Sequence, residues 1–168
     1  MSVPPARGDG PYARTFREAL IRPGLDPSRW GNRSNHAALN AVPTGPAEMS
    51  IYTTPFRRFT LRTDGFASVQ AGADDGEMVT HPLRFAGNSL VVNYSTSAGG
   101  RLAVEVQDAA GAPVPGYTLD DCPEIVGDEI ERVVSWKGGS DVSKLAGQHV
   151  RLRFVMKEAD VYSFRFQK

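Results

Sequence analysis

Cysteine is all but absent from this sequence: Cys122 is the one thiol among 168 residues. That excludes an internal disulfide. The three histidines (His36, His81, His149) stand at no ligand spacing, so a Cys/His zinc cage has no donors. Apolar runs are short. None approaches the roughly 20 residues that span a bilayer, and the opening stretch MSVPPARGDGPYAR lacks the apolar heart of an export signal. An excess of one charge is missing as well, since 19 basic residues face 19 acidic ones. Without a net field, neither nucleic acid nor an anionic membrane is an expected partner. Helical periodicity fails after residue 50, which argues against alternating strand–helix architecture. The compartment stays open on these grounds.

What the chain does contain changes character at residue 50. Residues 1–50 hold seven of the twelve prolines (Pro4, Pro5, Pro11, Pro23, Pro27, Pro43, Pro46), which predicts an irregular, extended arm. Within it RTFREAL alone has helical spacing, Phe16 to Leu20, and Arg22-Pro23-Gly24 ends whatever begins there. From residue 51 onward the period is two, the pattern of strands with one buried face. Phe59 and Leu61 alternate with Arg58, Thr60 and Arg62. Leu102, Val104 and Val106 alternate with Arg101, Ala103, Glu105 and Gln107. Val150, Leu152, Phe154 and Met156 share one side of VRLRFVM, and Tyr162, Phe164 and Phe166 one side of VYSFRF.

FASVQA, EMVTHPLRF, LVVNYS and EIERVVSWK bring the total to about eight strands. AGADDGE, SAGG, DAAGAPVPG and KGGSD supply turn residues between them. SDVSKLAG reads as one helical turn, capped by Ser140 or Asp141 and stopped by Gly147. The expected fold is all-β: an antiparallel β-sandwich of jelly-roll type over residues 51–168. Its size permits burial of about 70% of the unfolded surface.

Several longer phrases carry a resemblance. RRFTLRTDGFASVQAG, LVVNYSTSAGGRLAVEVQDAAGAPVPGYTLDDC and GDEIERVVSWKGGSDVSKLAGQHVRLRFVMKEADVYSFRF together resemble one kind of bacterial domain. It is the C-terminal β-sandwich of proteins similar to family 32 glycoside hydrolases, where a five-bladed β-propeller precedes the sandwich. FREALIRPGLDPSRWGNRSNHAALNAVPTGPAEMSIYTT resembles the closing part of that propeller, so the likeness covers residues 14–167. The resemblance implies an accessory sandwich that buries one flank of a propeller, with residues 1–50 as the docking piece. The family's catalytic acids lie on the first blades, and no WxNDPxG-like, RDP-like or EC-like element occurs in residues 1–50. The chain therefore reads as a piece of a longer polypeptide or as a relative that lost the propeller.

The candidate sites are few. YTLDDCPEIVGDEIE gathers Asp120, Asp121 and Glu124 around Cys122. Pro123 and Gly127 make it a surface excursion, where carboxylates stay solvated and serve neither as acid nor as sheltered nucleophile. Acidic neighbours also disfavour Cys122 as a nucleophile. Asp74, Asp75 and Glu77 offer hard oxygen ligands for a structural calcium ion, although a polar turn is the simpler reading. Trp30, with Arg33 and Asn35, is the densest group of hydrogen-bonding side chains beside an aromatic ring, and Trp136 is the second tryptophan. Either could meet carbohydrate, and either could pack inside. The rows Arg58/Arg62 and Arg151/Arg153 belong on an outer sheet face, paired with carboxylates such as Glu105.

The expectation is a non-catalytic accessory module that contacts carbohydrate or a catalytic partner domain. The alternatives are a stand-alone carbohydrate-binding module and a small glycoside hydrolase using the acids of 120–124. If the arm docks, its apolar residues Phe16, Leu20, Ile21, Trp30, Leu39, Met49 and Ile51 face a propeller or a second copy.

Overall fold

The computed structural model describes residues 19–22, 24–27, 36–54 and 56–168. Among them every regular element is a strand or a short 3-10 turn, so the chain is all-β and sandwich-like. Most of the helically spaced RTFREAL lies outside the described residues. The chain divides into two compact units, Met1–Arg62 and Thr63–Lys168.

Among the described residues the first unit holds a three-stranded antiparallel sheet, β1 (Val42–Gly45), β2 (Glu48–Thr53) and β3 (Arg57–Arg62), in that order. β1 and the first half of β2 thus lie within residues 1–50, the stretch expected to be irregular. Gly45 pairs with Glu48 across a two-residue connection, Pro46-Ala47, the shortest loop that closes a hairpin. Three residues separate Thr53 from its partner Arg57, and the last of them, Phe56, has φ 47°. A left-handed residue at that point is what a three-residue hairpin demands. β3 is the RRFTLR segment; its alternation is real, but it pairs with β2 rather than with the larger sheet.

The second unit is one five-stranded antiparallel sheet. It contains β4 (Val69–Ala71), β5 (Gly76–Val79), β6 (Ser89–Asp108), β7 (Asp128–Val133) and β8 (Val150–Gln167). The order is β4-β8-β6-β7, with β5 also on β8. LVVNYS and RLAVEVQD, expected as two strands around an SAGG turn, are a single strand of 20 residues, and β8 likewise joins two expected strands. The register slips between Thr96 and Arg101, opposite Glu158 at φ 42°. A Cβ on Gly100 would fall 2.4 Å from the Glu158 carbonyl oxygen, so only glycine lets the strands approach there. Bulged together, β6 and β8 bend, and the sheet curls into a half-barrel.

The core lies inside that curl. Leu102, Val104 and Val106 pair directly with Met156, Phe154 and Leu152, all essentially inaccessible. Ala159, Val161, Phe164 and Phe166 continue the packing, so the inward face of β8 steps from 156 to 159 and from 161 to 164. Each step crosses a bulge. Tyr162, expected to share a face with Phe164 and Phe166, is the extra residue opposite the Asn93–Tyr94 step, within 3.3 Å of the Ser95 hydroxyl.

Turn chemistry explains the connections. The Asp108 carboxylate accepts the Ala110 and Ala112 N–H groups at 2.8 and 2.9 Å. Residues 114–117 then run back along β6, with Val114 and Tyr117 bonded to Val106. Asp141 accepts the Ser143 N–H at 2.8 Å at the start of the 3-10 turn Ser143–Leu145, and Gly147 leaves it at φ 78°.

Candidate functional site

The acidic stretch is a tied-down connection. Asp120 and Asp121 sit in a 3-10 turn, Leu119–Asp121, that follows Thr118. Asp121 accepts the Thr118 hydroxyl at 2.8 Å and lies 3.8 Å from the Lys137 ammonium. Glu124 reaches Arg101 at 3.6 Å. Further on, Glu129 pairs with Arg132 at 3.2 Å and Glu131 with Arg165 at 2.6 Å. Asp121, Glu124 and Glu131 thus meet a cation from another segment, and Glu129 meets one on its own strand.

Cys122 is buried at the foot of the same loop, where its sulfur accepts the Val104 N–H at 3.4 Å. Burial pushes its thiol pKa up, and the single bond from Val104 does not offset that. Desolvation, rather than the acidic neighbours, does the shifting.

Glu105 departs from its expected place on a solvated outer face. It does pair across strands with Arg153, at 3.5 Å, yet it is only 4% exposed. Gln107 donates to it at 2.9 Å and the Leu119 N–H at 3.2 Å. The loop of residues 113–121 has folded over that part of the sheet, leaving an open depression of about 350 Å³ lined by Glu105, Pro113, Thr118, Leu119 and Asp120. Glu105 already has three donors, an arrangement that holds a loop to a sheet.

Asp74, Asp75 and Glu77 do not converge. Asp75 binds Arg101 at 2.6 Å and Glu77 binds Arg153 at 2.8 Å. Among the described residues no group of three His, Cys, Asp or Glu side chains could hold a metal ion. Glu77 and then Glu105 raise the Arg153 pKa by hydrogen bonding to its guanidinium. Trp30, Arg33 and Asn35 lie outside the described residues.

Trp136 is placed, and it is core. It is 3% exposed, and its indole N–H donates to the Val104 carbonyl at 2.9 Å. Beside it lies the half-buried ring of Tyr117, whose centroid is 5.2 Å from that of Trp136 at 78°. Tyr117 donates its hydroxyl to the Asp141 carbonyl at 2.8 Å. Trp136 and Gly139 close a tight hairpin by exchanging N–H···O bonds of 2.9 and 2.8 Å. Pro115, Gly116, Tyr117, Gly138, Gly139, Asp141 and Lys144 thereby surround a depression of about 280 Å³. Sequence reasoning took these segments only as turns. The available signal was the doubled glycine of KGGSD beside VPGY, which says nothing about the two meeting in space.

Among the described residues these features define an all-β module in which Asp121, Glu124, Glu129 and Glu131 are paired and Trp136 lies inside. In comparisons with known proteins, no family model, no curated protein and no solved structure matches the chain.

Proposed function

We propose that this chain is a non-catalytic accessory module: a curled five-stranded unit, residues 63–168, carrying a first unit that completes its own burial on another folded domain. The observation behind this reading is how few of the first unit's described apolar side chains are buried. Among its described residues Ile51 is the one buried hydrophobe, while Leu20, Leu25, Leu39, Val42, Tyr52 and Phe56 are exposed. Tyr52 and Phe56 also border an apolar depression of about 540 Å³ with His36, Ala37 and Ala38. Exposed apolar side chains at this density favour a protein partner. A propeller of the glycoside hydrolase family 32 kind is the partner that the resembling phrases suggest. Ile51, expected at that surface, is instead internal to the unit.

Against catalysis stand the ion pairs of the acidic stretch. Glycoside hydrolysis needs two carboxylates that face each other across the scissile bond, and here Asp121, Glu124 and Glu105 face cations and backbone donors.

The full chain tests the proposal through sedimentation, apolar-dye binding and hydrogen exchange. It should be a monomer that binds the dye, with amides of 42–62 exchanging far faster than those of 102–106. Leu39→Asp combined with Phe56→Asp should abolish most of the dye signal. A monomer protecting 42–62 as strongly as 102–106 would overturn the reading. So would a stable dimer that protects them, since the partner would then be a second copy.

A further inference from the structure

We propose that the depression between Tyr117, the Gly138–Gly139 turn and the Asp141–Lys144 segment is a subsite for one neutral sugar ring, such as the terminal pyranose of a glycan. Its volume of about 280 Å³ lies just below the usual range of ligand pockets, which suits a single ring rather than a longer ligand. Tyr117 gives one wall an aromatic surface, and an aromatic face is what the C–H side of a pyranose packs on. Two charged side chains of opposite sign border the opening, Asp141 and Lys144. Their charges cancel, which favours a neutral ligand over an ion. Together they supply what hydroxyl groups need, a carboxylate that accepts and an ammonium that donates. Hydrogen bonds from Ser143 hold the Asp141 carboxyl below the ordinary carboxylate range, so it is an acceptor at neutral pH.

The glycines are the second observation. Gly139 has φ 110°, which its turn requires, but Gly138 lies outside the left-handed region. A Cβ at Gly138 would meet nothing within 4 Å. Gly138 lines the depression without adding a side chain to it, and a larger residue there would have room to enter it. Tyr117 is fixed by its bond to Asp141 and its contact with Trp136, so the wall is set before any ligand arrives.

The subsite stands in the second unit and does not depend on whether the first unit finds a partner. The test is amide chemical-shift titration of the full chain with glucose, galactose, mannose, fructose and N-acetylglucosamine separately. At least one should give saturable shifts at Gly116, Tyr117, Gly138 and Gly139, with a Kd of about 1–10 mM, as a one-ring ligand allows. Gly138→Leu should remove the shifts while the rest of the spectrum stays put. Asp141→Asn, which keeps the cap on Ser143, and Lys144→Met should each weaken binding by about tenfold. No saturable shift with any of the five sugars overturns the proposal. So do shifts that survive Gly138→Leu.

Discussion

Two ways of holding strands together operate in this chain. In the second unit a continuous apolar cluster runs from Ala71 to Val161, and its central pairs, such as Val104 with Phe154, exclude water altogether. In the first unit the strands are stitched by polar side chains. Ser50 is fully buried, and its hydroxyl lies 2.7 Å from that of Thr44 and accepts from Arg58 at 2.8 Å. Arg58 in turn pairs with Glu48, which also accepts from Thr44. Burying one large apolar side chain stabilises by about 1.5–3 kcal/mol. A typical hydrogen bond nets only about 0.5–1.5 kcal/mol, and an exposed ion pair about 0–1. The comparison teaches that similar strand pairing can rest on very different reserves of stability.

The sharpest way to break that comparison is to cut both units. Phe154→Ala removes a fully buried ring and should cost about 3–5 kcal/mol in denaturant unfolding. Leu39→Ala, at a side chain 88% exposed, should stay within about 0.5 kcal/mol. If Leu39→Ala also costs several kcal/mol, the first unit has an apolar interior after all and the distinction fails.

Next in size is the bend that makes the second unit's core possible. A Cβ at Gly100 would fall 2.4 Å and 2.8 Å from the carbonyl oxygens of Glu158 and Lys157, backbone atoms that cannot swing aside. Gly100→Ala should therefore destabilise by about 1–3 kcal/mol. Gly99→Ala meets nothing within 4 Å and serves as the control, with almost no loss expected. Equal effects at the two positions would mean that the close approach does not govern the curl.

That bend also marks where the sequence stopped being readable. The inward faces of Leu102, Val104 and Val106 and of Val150, Leu152, Phe154 and Met156 follow from period two, because each short run has a local signature that packing preserves. A bulge carries no such signature. Glycine in SAGG serves a turn or a bulge equally well, so β6 reads as two strands, and the polar KEAD within β8 reads as a turn in the same way. Glu105 shows the same limit for the candidate sites. A charged residue in an alternating strand reads as solvent-facing, and it becomes internal only because residues 113–121 fold back over it. The acidic stretch read as a connecting loop because Pro123 and Gly127 act locally. The depression beside Tyr117 was illegible because three separate turns meet to form it.

Buried polar groups in the second unit offer a pH probe of the same contrast. The Tyr94 side chain is buried, with its hydroxyl 3.1 Å from the Val126 carbonyl and 3.2 Å from the Glu129 carboxylate. Desolvation first, and the Glu129 charge second, push its pKa up to about 12. The group is neutral when protonated, so a raised folded pKa means that the unfolded chain loses this proton first. The stabilisation is complete below an unfolded pKa of about 10 and is lost as the pH rises from there to about 12. Tyrosinate absorbance should show one residue titrating late, and Tyr94→Phe should remove that step, with about 1 kcal/mol of stability lost near neutral pH. Early titration of every tyrosine would mean that water reaches the Tyr94 hydroxyl.

The smallest expected effect lies in the first unit, at Arg58. Its guanidinium is about half exposed, 48%, and the Glu48 side chain 41%, so salt and solvent screen the pair. What remains is a bond to the Thr44 hydroxyl at 3.2 Å and one to the Ser50 hydroxyl, which has the Thr44 hydroxyl as a second partner. Arg58→Ala therefore leaves Ser50 satisfied, and the loss should be about 0.5–1 kcal/mol. It should appear as faster hydrogen exchange within 42–62, with unfolding of the core strands 102–106 and 150–156 unchanged. Added salt should shrink the effect. Arg153→Ala makes the opposite case: it strips a cation from Glu105, which is 4% exposed, and the cost should persist at high salt. If the two arginines respond to salt alike, exposure does not separate the polar contacts of the two units, and the contrast between them narrows to the apolar core alone.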